Sequence, residues 1–256
     1  DGHVQRWRIE RPGGLDGTSI EIVGRAAGVT DVLARVERLD GSAQVESLPP
    51  GQASFVVEPG LGLRQTAVTY LVLGIEHILG GVDHLLFVLS LLLIVRGAKR
   101  IVVTITAFTV AHSLTLVGAT LKLVHMPGPP VEAAIALSIV FVAAEAVRGA
   151  RGTPGPMARA PWVVAFVFGL LHGFGFAGAL AEIGLPQNAI PVALLTFNVG
   201  VEAGQLLFVG ALALAGWALH ALLGTRREWA RWSIVLPSYS IGTVAMFWVA
   251  ERVASF

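Results

Sequence analysis

The stretch Gly74-Ile-Glu76-His77-Ile-Leu-Gly80-Gly81-Val-Asp83-His84-Leu-Leu-Phe87 sets two histidines and two acids at the mouth of a run otherwise fit only for lipid. Ionisable side chains inside a membrane segment cost free energy, so they face a partner, a cavity or a transported ion. Imidazole and carboxylate are also ligands for divalent transition metals. On one unbroken helix, His77 and His84 share a face but stand two turns apart, roughly 10 Å in rise. One ion with ligand bonds near about 2.0–2.1 Å does not easily bridge that gap. A kink at Gly80-Gly81 would fold His77 back toward Asp83 and His84 and make a compact site. The plainer reading has Asp83 capping a helix that starts near Leu85, with the histidines in wet headgroups.

Later apolar segments carry more such residues. His112 lies in Thr104-Ile-Thr106-Ala-Phe-Thr109-Val-Ala-His112-Ser113-Leu-Thr115, where Thr109, His112 and Ser113 share a helical face. A buried imidazole bonded to a neighbouring hydroxyl explains it as well as ligation does. His172 sits in Phe168-Gly169-Leu-Leu-His172-Gly173-Phe-Gly175-Phe-Ala-Gly178. Those glycines let another helix approach closely, but packing does not explain a histidine among them. Asn198, Glu202 and Gln205 recur at i, i+4 and i+7, a polar stripe on one helix. Glu145 lies nearer the cytoplasmic side, beside Arg148 as a pairing partner or on an exit path. Glu132, Glu182, His125 and His220 fall near segment ends, where solvation suffices, and His3 carries no signal. In depth, His77, Asp83 and His84 come first, then His112, His172 and Asn198, then Glu202, with Glu145 innermost. The order fits an inward path for a divalent cation or a pocket holding one ion near the outer surface.

The elements that carry these residues follow from composition and charge. Of 256 residues, 54% are hydrophobic and 14% charged, with a mean hydropathy of +0.72. Soluble domains carry about 25% charged residues, so the chain reads as a membrane protein. A net charge of +1 and no basic run give no sign of a nucleic-acid partner. Cysteine is absent, which excludes thiolate sites and disulfides. Residues 1–60 alternate in short runs (Val4–Ile9, Ser19–Val23, Val32–Arg38, Ser54–Val57) between turn signals such as Pro12-Gly13-Gly14, Asp40-Gly41 and Pro49-Pro50-Gly51. They read as a small β module with one buried face, bounded at Pro59-Gly60. No signal peptide is visible; if this module is extracytoplasmic, the numbered chain is expected to begin after a removed leader.

Residues 61–256 read as an all-α polytopic bundle, with apolar runs at 82–95, 101–121, 131–148, 161–181, 189–219 and 233–250. Arg96, Lys99 and Arg100, then Arg148, Arg151 and Arg159, then Arg226, Arg227 and Arg231 follow alternate runs. Positive loops stay cytoplasmic, so six transmembrane helices are expected, with the N-terminal module and the C-terminus outside. Residues 61–95 would make about 52 Å of helix for a single crossing of an about 30 Å core. Hence 61–79 is expected along the interface or as a re-entrant helix, broken at Gly80-Gly81. The location expected is a bacterial inner membrane.

The Gly74–Phe87 stretch, Ala111-His112-Ser113-Leu-Thr115, the Gly169–Gly178 stretch and Phe197-Asn198-Val-Gly200-Val-Glu202-Ala-Gly204-Gln205 together resemble the HupE/UreJ family of membrane proteins. The likeness covers about residues 61–220 and is closest to the branch with an N-terminal extracytoplasmic domain. The hydrogenase branch has a His-Pro dipeptide upstream of its Asp-His pair, where this chain has His77-Ile78. The resemblance implies a nickel or cobalt permease, with His77, Asp83, His84, His112, His172 and Glu202 as candidate ligands. The leading expectation is a permease for a divalent metal, nickel favoured and zinc the alternative, with Glu76, Asn198, Glu202, Gln205 and Glu145 along its polar path. Its partners would be the metal ion, the bilayer and a periplasmic or extracellular protein at the β module. A second reading is an intramembrane zinc hydrolase acting on a lipid or membrane-anchored peptide, with Glu76 or Glu202 as general base. A third is a non-transporting membrane partner that binds a periplasmic protein through the β module.

Overall fold

The computed structural model describes residues 6–23, 32–39, 43–49, 53–57, 62–124, 126–183, 189–223 and 229–255. The chain divides into two compact units, Asp1–Thr66 with Pro186–Ile190, and Ala67–Leu185 with Pro191–Phe256. The expected boundary at Pro59-Gly60 lies outside the described residues.

The first unit holds two antiparallel ribbons. In one, β1 (Ser19–Glu21) pairs with β4 (Ser54–Val56); in the other, β2 (Val32–Glu37) pairs with β3 (Ala43–Leu48) in the register Val32↔Leu48 to Glu37↔Ala43. Leu48, Phe55 and Val57 form its small core, with Leu15, Ile20, Val32 and Val36 against them. Three of the expected strands are present. The fourth, Val4–Ile9, is not: residues 6–9 carry no strand, and 4 and 5 lie outside the described residues. In its place stands β3, a weaker alternation two residues beyond the Asp40-Gly41 turn signal.

The second unit is helical. α1 (Leu63–Gly80) and α2 (Val82–Ile94) meet at Gly81 with a bend of 70°. Gly81 takes an extended conformation as N-cap of α2, while its N–H still reaches the His77 carbonyl at 2.9 Å and its carbonyl accepts from Leu85 N–H at 3.0 Å. The chain therefore turns without stranding those two backbone groups, which lipid would not satisfy. The break falls where the paired glycines place it.

α3 (Ala98–Thr120) ends in a two-bond cap, Lys122 N–H to Ala119 O at 3.0 Å and Leu123 N–H to Gly118 O at 2.9 Å. That cap forces Lys122 to a φ of 57°, a position usually given to glycine. α4 (Gly128–Ala150) opens on Pro129 and Pro130, where a missing N–H costs nothing. A short turn, α5 (Pro156–Arg159), leads to α6 (Pro161–Ile183), α7 (Ile190–Leu223) and α8 (Trp229–Ala254). α3 packs along α6, and α4 along α8 and α2. Their shared core is Phe87, Leu91, Phe108, Ile139, Val142, Ala165, Ile241 and Ala245.

Among the described residues, four helices are long and apolar enough to cross a membrane, and five if the bent α1–α2 pair counts as one span. Expectation was six. The run at 161–181 lies within the 23 residues of α6, of which Pro161–Phe176, where the described side chains end, forms a shorter apolar helix. The chain is an integral membrane protein of mostly helical build.

Candidate functional site

The bend at Gly81 brings His77 and His84 together. Their ring centroids lie 4.8 Å apart, where a straight helix would hold them two turns from one another. His84 is the hub. It stands 4.9 Å from His172 of α6 and 5.8 Å from His112 of α3, and His112 is 5.9 Å from His77. Four helices thus deliver one imidazole each to a common region, and His84, His112 and His172 are buried.

Glycines make this approach feasible. A methyl group on Gly173 would overlap the His112 carbonyl oxygen and the Thr115 hydroxyl, and one on Gly169 would stand 2.5 Å from the Phe108 carbonyl oxygen. These two are the small-residue face by which α6 lies on α3, as their spacing suggests. Gly175 faces elsewhere, toward Ile135 of α4, and Gly178 has no described side-chain surroundings. α1 and α7 cross as closely: side chains at Gly74 or Gly200 would overlap the Phe197 or Leu71 carbonyl oxygen. A Cβ on Gly81 would lie 2.8 Å from the His77 carbonyl oxygen and 2.9 Å from His84 Nδ1. The hinge glycine therefore also makes room for the hub imidazole.

Two of the histidines have their tautomers set by neighbours. The N-cap of α2 is Gly81, not Asp83, which sits in the first turn: Asp83 Oδ1 accepts from the His84 backbone N–H at 2.8 Å and lies 2.9 Å from His84 Nδ1. A carboxylate there makes Nδ1 the protonated nitrogen and leaves Nε2 with a lone pair. Ser138 Oγ donates its single hydrogen to the Ile135 carbonyl at 2.6 Å, so at 3.3 Å from His172 Nε2 it accepts. His172 then presents the lone pair of Nδ1.

The free nitrogens are the site's main feature. His77 Nε2, His84 Nε2, His112 Nδ1, His112 Nε2 and His172 Nδ1 are all buried without a protein partner. An unsatisfied buried polar group costs about 1–3 kcal/mol, so five in one place are a large expense unless something occupies the space between them. The alternative for His112, a bond to a neighbouring hydroxyl, is not what forms. Ser113 and Thr115 turn back on their own helix, to the Thr109 and to the Ala111 and His112 carbonyls. As the side chains stand, no group of three or more His, Asp and Glu among the described residues is arranged to hold a metal ion.

Aromatic rings enclose the cluster. Phe176 lies 3.9 Å from the His77 ring and stacks on Phe197 at 5.1 Å, while Phe87 and Phe108 flank His172 at 5.0 and 5.1 Å. Along α3 and α7 the polar stripe forms two rungs. Thr109 Oγ1 donates to Gln205 Oε1 at 3.0 Å, and Thr106 Oγ1 to Glu202 Oε1 at 2.6 Å. Gln205 Nε2 and Glu202 Oε2 remain without protein partners. Asn198 spends its Nδ2 on the Leu194 carbonyl of its own helix at 2.7 Å, with Oδ1 free.

Two sequence candidates stand apart. Glu76 is exposed on α1. Glu145 is buried, but among the described residues it forms no ion pair with Arg148; its carboxylate lies against Gly155, with Oε1 unpaired. Ser138 and Thr106 escaped sequence reasoning. A lone hydroxyl in an apolar run is too cheap to attract notice.

A family model described as HupE / UreJ protein matches residues 53–252. No curated protein matches the chain, and neither does any solved structure.

Proposed function

The chain belongs to the HupE/UreJ family, and we propose that it is a permease for a divalent transition metal, nickel in the first place. The family is associated with nickel and other metal uptake. The observation that carries the reading is the set of five unpartnered imidazole nitrogens drawn from four helices. Neutral imidazole is a preferred ligand for nickel, copper and zinc. The metal here is cargo, and loose convergence suits cargo, since a site must bind well enough to load and weakly enough to release. His77, His84, His112 and His172 would take the ion, with Asp83 and Ser138 holding two of the rings. The Gln205–Thr109 and Glu202–Thr106 rungs would continue the path, and Glu145 would serve at its far end. In this reading six spans embed the chain in an inner membrane, with both termini outside.

The hydrolase alternative draws less support. Its general base would be Glu76, which is exposed, or Glu202, which is already bonded to Thr106.

The test is uptake of nickel into proteoliposomes, beside elemental analysis of the purified protein, for wild type and for His84→Ala and His112→Ala. Wild type should accumulate nickel and bind it exchangeably, and both variants should lose transport while keeping their fold. Uptake undiminished in both variants would overturn the reading. Metal that survives prolonged dialysis without uptake would move the assignment to the hydrolase.

A further inference from the structure

An open groove of about 640 Å³ runs along the α4–α8 pair, away from the histidines. Its walls are Val140, Ala144 and Val147 of α4 and Tyr239, Thr243 and Phe247 of α8, and it is almost wholly apolar. These positions recur every three or four residues, so each helix contributes one continuous face. The groove extends along α8 from Ser238 to Ala250, about 18 Å at 1.5 Å per residue. One leaflet contributes about half of the about 30 Å hydrocarbon core, so the groove is as long as a single leaflet is deep.

Its two ends differ in charge. At the far end Arg252 is neutralised by Glu132 at 3.2 Å and lies over the Trp248 ring at 5.6 Å. At the other, Arg151 donates to the Tyr239 hydroxyl at 2.8 Å, which ties a cation to the groove wall. Arg148 and Arg151 continue the Ala144 and Val147 positions one turn further along α4. Both are exposed, and among the described residues neither meets a carboxylate. Guanidinium binds phosphate through a planar fork of donors, and basic pockets between membrane helices take anionic head groups.

We propose that the α4–α8 groove is a binding site for an anionic phospholipid, its acyl chain along Val140–Val147 and Tyr239–Phe247 and its phosphate on Arg148 and Arg151. A second copy of this chain is the other conceivable occupant, but an apolar self-interface has no use for two unpaired cations at one end.

The experiment uses the full-length protein in neutral detergent, titrated with phosphatidylglycerol or phosphatidylcholine and followed by native mass spectrometry. Wild type should retain phosphatidylglycerol in preference to phosphatidylcholine. Arg148→Gln with Arg151→Gln should weaken phosphatidylglycerol binding about 30-fold, as expected for two cations each worth about 1 kcal/mol at a membrane surface. Ala144→Phe, an exposed position, should block the chain and abolish binding while both arginines remain; Ala144→Leu serves if the larger ring disturbs folding. Equal binding of the two lipids, or variants that bind like wild type, would overturn the proposal. So would a dimer that Ala144→Phe splits without any loss of lipid.

Discussion

At the residue scale, the chemistry of the cluster rests on which imidazole nitrogens carry hydrogen. Ser138 has one hydrogen and gives it to Ile135, which forces His172 to donate through Nε2 and leaves Nδ1 open. Asp83 does the same for His84 from the opposite nitrogen. Ser138→Ala removes no proposed ligand, yet the tautomer of His172 is released. Groups that orient a metal ligand are worth about 10–100-fold in affinity, and a loss of nickel affinity in that range is expected, read by isothermal titration. Unchanged affinity would mean that His172 takes no part. The histidines and Asp83 were legible in the sequence because charge and imidazole are anomalous in lipid. Ser138 was not, because a membrane hydroxyl can satisfy itself on its own helix. Thr104, Ser113, Thr196 and Ser238 all do so, each on the carbonyl four residues back. A side chain with that option leaves no mark when it is used for something else.

At the element scale, close helix crossings hold the ligands in register. Gly200 touches the α1 backbone at Leu71 and Gly74, so any side chain there must push two main chains apart. Gly210 and Gly216 lie further along the same helix, and a methyl group on either would meet nothing within 4 Å. Gly200→Ala should therefore destabilise by about 1–3 kcal/mol, the usual cost of overpacking, and Gly210→Ala should be neutral or slightly stabilising through helix propensity. Thermal unfolding in detergent distinguishes them, and equal midpoints would contradict the crossing. Gly81→Ala makes a different point. Its methyl would press on His84 Nδ1, so nickel binding should fall even where the fold survives, with the ratio of binding loss to stability loss as the readout. The hinge was legible because a helix of about 52 Å does not fit one crossing and Gly80-Gly81 is the weakest link in it. β3 was not, since Ala43, Val45 and the buried Leu48 make only a thin alternation, and the strand is defined by its pairing with β2.

At the scale of the whole molecule, the question is how many times the chain crosses the bilayer, and parity decides it. From the loop at Arg96–Arg100 to the C-terminus lie α3, α4, α6, α7 and α8. If all five cross, Lys99 and Ser255 are on opposite faces; if α6 enters without crossing, they are on the same face. The charge pattern requires the first arrangement, because the alternate positive loops share a side only when α6 spans. α6 has 23 residues, about 35 Å at 1.5 Å per residue, which is long enough to span, and it packs along α3. Absence of cysteine makes the test clean, as each introduced thiol is unique. Lys99→Cys and Thr153→Cys should react with a membrane-impermeant maleimide only after the cytoplasmic face is opened. Leu123→Cys and Ser255→Cys should react from outside, and all four positions are exposed. Lys99 and Ser255 labelling from the same side, with Leu123 opposite, would mean that α6 is re-entrant. His172 would then sit on a helix that dips into the membrane and returns, and the path beyond the histidines would have to be drawn again.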